Sequence, residues 1–134
     1  MAGRSSFGFL GRFGRSADLR AFDEGLRRCD VHPAQVVDGV KLAAVRLVQK
    51  HGKADSLPDR AYEDAAALVA FTVLGEGRMA ELLGQDLAET LAARVERAAD
   101  CPDGLDAELI LLALHTGLVA PHVADAFGLS IDEG

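Results

Sequence analysis

Apolar positions recur along this chain at helical spacing, in steps of three and four. Leu19, Phe22, Leu26 and Cys29 share one face of a first helix, which Ser16 caps and Asp18 opens. Arg20, Asp23, Glu24, Arg27 and Arg28 take the other positions, where solvent is expected. The helix ends near Asp30. Pro33 stands where a second helix begins. Val36, Val37, Val40, Ala43, Ala44, Leu47 and Val48 give that helix a broad stripe, which Leu42 and Val45 widen. Gly39 in its interior costs about 1 kcal/mol relative to Ala and fits a place where another helix comes close. Lys50 and His51 suit its negative end, and Gly52 stops it.

The stretch from Ala61 to Leu74 breaks this amphipathic pattern. Within Ala65–Leu74 only Thr72 is polar, and a mid-helix threonine can hydrogen-bond a carbonyl one turn back. The run starts on alanines, the best helix formers, and follows Pro58, Asp59, Glu63 and Asp64, which favour a helix start. A helix apolar all round belongs at the centre of a fold. It is too short to span a bilayer, which needs about 20 apolar residues. Gly75 and Gly77 end it. Met79, Leu82 and Leu83 make a short helix closed by Gly84, and Leu87, Leu91 and Val95 carry the next one to a turn at 100–104. A second strongly apolar helix covers 105–116, with Leu105, Leu109, Ile110, Leu111, Leu112 and Leu114. A short last helix runs from Pro121 to Phe127 and stops at Gly128.

No run alternates β-branched and polar residues, so no strand is expected. The pattern predicts an all-α fold: one compact domain of six to seven helices over residues 16–134, two of them (61–74 and 105–116) strongly apolar. A chain of 134 residues is long enough to bury a real core. Hydrophobic residues make up 49% and aromatics only 5%, with no Trp, so the core is built from Leu, Val and Ala.

Residues 1–15 differ from the rest. They hold four glycines, Phe7, Phe9, Phe13, Arg4, Arg12 and Arg15, and no acid. The glycines oppose a helix, which predicts a flexible basic arm that is dispensable for folding. Its phenylalanines either dock on the body or, with the arginines, touch a partner or an anionic membrane surface. Arg and Ser without acids also match the composition of an organellar presequence. The whole chain carries −7; with +3 in the arm, −10 remains for the domain. That balance disfavours nonspecific nucleic-acid binding. No secretory signal is evident, so Cys29 and Cys101 read as reduced, packed thiols in a cytoplasmic protein.

Candidate chemistry is sparse. His115, His122 and Asp125 are the only candidates for a metal site, and zinc needs three or four ligands converging at about 2 Å. Gly117 and Pro121 interrupt their spacing, so neither a metal nor any other cofactor is expected. His32 and His51 flank helix ends, where a polar ring helps with capping. The carboxylate pairs Asp23/Glu24, Glu63/Asp64 and Asp132/Glu133 fall in first turns, on polar faces or in the tail, and no catalytic residue is assigned. His122 to Ser130 resembles the first helix and turn of a helix-turn-helix, through Val123, Ala124, Gly128, Leu129 and Ser130. The resemblance implies a recognition helix in the major groove. Ile131 to Gly134 instead bring two acids and no base, and the segment reads as helix–turn packing.

Three over-wide apolar faces remain, and Leu42, Val45, Ile110 and Leu111 are the positions expected to be left for an interface. The leading expectation is a non-enzymatic interaction module that forms a homodimer or binds another protein. The alternative is a small enzyme or ligand-binding protein with a pocket between the two apolar helices; convergent His, Asp and Arg there would favour it.

Overall fold

Seven α-helices and no strand are present among residues 16–130, the part of the chain that the computed structural model describes. The basic arm at 1–15 and the last four residues lie outside the described residues. The helices are α1 (Ala17–Arg28), α2 (Asp38–Gly52), α3 (Asp59–Leu74), α4 (Glu76–Leu83), α5 (Gln85–Ala98), α6 (Leu105–His115) and α7 (Pro121–Phe127). No helix among them is long and apolar enough to cross a membrane.

The centre is α3. All six other helices pack against it, and Tyr62, Ala66, Leu68, Ala70 and Phe71 have no exposed surface. Thr72, its one polar residue in the apolar stretch, donates its hydroxyl to Val69 O at 2.6 Å and so enters the core satisfied. The closest packing is with α1. A Cβ on Gly25 would stand 2.7 Å from Ala66 Cβ and 2.8 Å from Glu63 Cα. The close approach expected at Gly39 is therefore at Gly25; no described atom lies within 4 Å of a Cβ built on Gly39.

Several local signals act as expected. Ser16 caps α1 by accepting from Leu19 N at 3.3 Å. Gly75 (φ 90°, ψ 166°) and Gly84 (φ 106°, ψ 153°) each end one helix and begin the next, in a backbone region open only to glycine. Pro33 does not open α2. It opens a single 3₁₀ turn, Pro33–Gln35, in which His32 Nδ1 accepts from Ala34 N and Gln35 Oε1 accepts from His32 N. The chain is then extended through Val36 and Val37, and α2 starts at Asp38. This leaves Val36 buried and Val37 67% exposed.

Asp23 departs most from expectation. It is buried, not solvated, and accepts from Lys41 Nζ at 3.0 Å; Lys41 is equally hidden, and its Nζ also lies 3.5 Å from Asp38 Oδ1. Asp23 lies about 40° around the helix from Leu19, at the edge of the apolar stripe, and α2 packs over that edge. Cys29 is buried and its thiol is pushed up by desolvation, whereas Cys101 is exposed rather than packed; both are free.

Candidate functional site

Two ion-paired clusters fix the first turns of α6. Arg94 of α5 holds Asp106 with both ends of its guanidinium, at 3.1 and 2.9 Å, and also donates to Asp64 O of α3 at 3.3 Å. On the opposite flank Glu108 accepts from Lys50 Nζ at 3.0 Å and pairs with His51 Nε2, both from the end of α2. The His51 hydrogen bond, followed by that of Lys50, holds the Glu108 carboxyl below the usual glutamate range. His51 thus serves a helix–helix tie as well as a helix end.

Beyond these ties α6 opens outward. It packs chiefly on α2, α3 and α5, with Leu109, Ile110 and Ala113 buried and Leu111 46% exposed. Beside Leu111 lies a groove of about 390 Å³ between α5, α6 and α7. Val95 and Ala98 of α5, Ile110 and Leu114 of α6, and Phe127 and Leu129 line it; Glu96 and Ser130 are its only polar side chains. α7 is set in place from α3: Ala120 N donates to Thr72 O at 2.9 Å, His122 Nε2–H donates to Leu74 O at 3.3 Å, and Phe127 meets Phe71 edge-on with centroids 5.8 Å apart.

The four expected interface positions divide. Leu111 and Leu42 (39%) are exposed. Val45 and Ile110 are core residues, at 3% and 5%, and are not available to a partner as an open face. The wide stripe of α2 is used up because α1, α3 and α6 all pack on it, and Ile110 becomes the floor of the groove. Phe127, Leu129 and Val95 are not among the expected positions; the docking of α7 brings Phe127 and Leu129 to α6, and the packing of α5 on α6 brings Val95. The expected metal candidates do not converge: His115 is exposed at the end of α6, His122 serves the α3 carboxyl end, and Asp125 is exposed. No group of three His, Cys, Asp or Glu side chains fit for a metal is present among the described residues.

A wider groove, about 690 Å³, lies between α2, α3, α5 and α6 and touches both apolar helices at Ala61, Ala65 and Leu105. Its polar lining is His51, Arg60, Asp64, Thr90 and Arg94. These are the residue types an enzyme would need, but they are engaged with one another or with the chain. His51 is bound to Glu108, Arg94 to Asp106, and Thr90 to Asp86 O. Arg60 and Asp64 stand 4.0 Å apart with side chains 87% and 63% exposed. No protein-family model, curated protein or solved structure matches the chain.

Proposed function

We propose that this protein is a non-enzymatic helical interaction module that self-associates through the α5–α6–α7 groove. Leu111 carries the reading: a large apolar side chain, 46% exposed, beside a groove whose lining is mainly apolar. Apolar surface gathered into a patch marks contact sites more often than isolated exposed leucines do, and a two-fold dimer is the commonest way to close one. A reducing compartment such as the cytosol suits the two free thiols. A nucleic-acid partner is disfavoured, because Arg94 is committed to Asp106 and the exposed part of α5 carries Asp86, Glu89 and Glu96 against Arg97. Light scattering coupled to size exclusion across a concentration series tests the proposal. The mass of the wild type should rise from 14.1 kDa toward twice that value, while Leu111→Lys stays monomeric. A constant monomer mass at high micromolar concentration overturns it.

Ligand binding in the wider groove is the second reading, favoured by His51, Arg60, Asp64 and Arg94 on its lining. It ranks second because their bonds already close on the chain itself. A fragment screen by NMR that shifts the resonances of Leu91 and Leu105 together would promote it.

A further inference from the structure

We infer that helices α4 and α5 form a hinged flap against α3 and α6, held shut by Arg94. The flap is independent of the self-association proposed above. The two helices belong together, since each packs chiefly on the other. Their hold on the rest of the molecule is light. Met79 is the only buried residue of α4. The buried residues of α5 are Ala88, Leu91, Ala92, Val95 and Ala98, and three of these are alanines with little apolar surface to bury. Grooves border α5 on both flanks. The wider one passes Leu87, Thr90 and Leu91, and the α5–α6–α7 one passes Val95, Glu96 and Ala99. A third, about 550 Å³, opens at its end beside Arg97 and Ala98. A helix bordered by three grooves has few contacts to lose when it lifts, and elements of that kind open before the rest of a fold does.

Arg94 supplies the clasp. Among the described residues it alone ties α4 or α5 to another helix through side-chain hydrogen bonds: to Asp106 of α6 at 3.1 and 2.9 Å, and to Asp64 O of α3 at 3.3 Å. The other side-chain bonds of the two helices, Arg78 to Glu81, Gln85 to Glu89 and Thr90 to Asp86 O, each close within one helix. The hinge is Gly75, with φ 90° and ψ 166°, a region that glycine crosses freely and other residues do not. At the far end the connection at 99–104 is largely exposed and lets α5 move without carrying α6 along. Lifting the flap breaks the three Arg94 bonds and parts Leu91 from Ala65 and Leu105, which face the same groove. The position of the flap therefore sets the width of that groove.

Native-state amide hydrogen exchange on the full chain, read residue by residue by NMR, tests this. The slowest amides of α4 and α5 should share one opening free energy and exchange at least about tenfold faster than those of α1 and α3. Arg94→Gln should speed the α4 and α5 amides about tenfold or more, as the loss of charge-assisted hydrogen bonds implies. Ala21→Gly, which weakens α1 alone, should speed the slowest amides of α1 and α3 about fivefold. It should leave those of α4 and α5 within about twofold, because α1 stays docked when the flap lifts. If Arg94→Gln does not fold, the wild type and Ala21→Gly decide between them. Amides of α4 and α5 that follow Ala21→Gly as α1 does open only with the whole molecule, which overturns the flap. Separate opening free energies for α4 and α5 overturn it as a unit, and a folded Arg94→Gln without effect on them removes the clasp.

Discussion

Helices α3 and α6 look alike as sequences and end in different places. Each is apolar on all sides, and each begins with acids and ends in a glycine-marked break. α3 is enclosed by every other helix, while α6 is covered on one side and open on the other. Length is part of the reason. α3 has 16 residues and α6 has 11, so α3 offers more than four turns for neighbours to settle on. Position is the rest. α3 lies mid-chain and is met from both directions, whereas among the described residues only the seven-residue α7 follows α6. Uniform apolarity names the candidates for a centre; it takes the count and reach of neighbours to decide which one becomes it.

The largest effect is expected inside the enclosed half, where α1 and α2 hide a charge pair. Asp23→Ala leaves Lys41 buried without its closest partner and should cost about 3–5 kcal/mol in urea unfolding. Asp23→Leu combined with Lys41→Met should recover most of that. A small loss for Asp23→Ala alone would mean that Lys41 reaches water or Asp38 instead.

The contrast between the two apolar helices is next in size. Leu68→Ala in α3 should cost about 2–5 kcal/mol, the range for truncating an enclosed leucine. Leu111→Ala in α6, measured at dilutions where the chain is monomeric, should stay within about 0.5 kcal/mol. Equal losses would show that α6 is as enclosed as α3 and remove the open face.

Glycines sharpen the comparison at the level of one methyl group. Gly25→Ala drives a Cβ into Ala66 and Glu63 and should destabilise by about 1–3 kcal/mol. Gly39→Ala meets open space among the described residues and should stabilise by up to about 1 kcal/mol. The sign of each shift in melting temperature decides.

The smallest effect is the acid response of the α6 tie. The Glu108 carboxyl is lowered in the folded chain. Its contribution is therefore present above the ordinary glutamate value of about 4.3 and is lost as pH falls through the lowered folded value. Glu108→Gln should melt earlier than the wild type at neutral pH and converge with it in acid. A gap that stays constant down to the lowest pH would deny the charge a role.

Much of this architecture is legible residue by residue. Ser16, the alanines of α3, Gly75, Gly84 and Gly128 each act through backbone chemistry confined to a few neighbours, and such signals survive folding unchanged. What was hidden depends on elements distant in sequence. Asp23 looks solvated on its own helix and is buried only because α2 covers it. Val45 and Ile110 look surplus until three helices and the groove floor account for them. Pro33 fits a helix start equally well as α-helix or 3₁₀ turn, and the extended residues Val36 and Val37 separate the two only once Val36 finds the core. The groove itself had no local signature, since Phe127 and Leu111 become neighbours only after α7 hangs from the end of α3.

The two glycines that join α3 to α4 and α4 to α5 set a rule for anyone rebuilding this chain. From Asp59 to Ala98 there is no connecting segment longer than one residue, and each joint needs a backbone shape that other amino acids resist. That run of forty residues has no slack in which to splice a tag, a reporter or a cleavage site. Added sequence is expected to be tolerated better in the exposed stretches on either side, at 53–56 and 100–103, which lie between helices and outside the packed core.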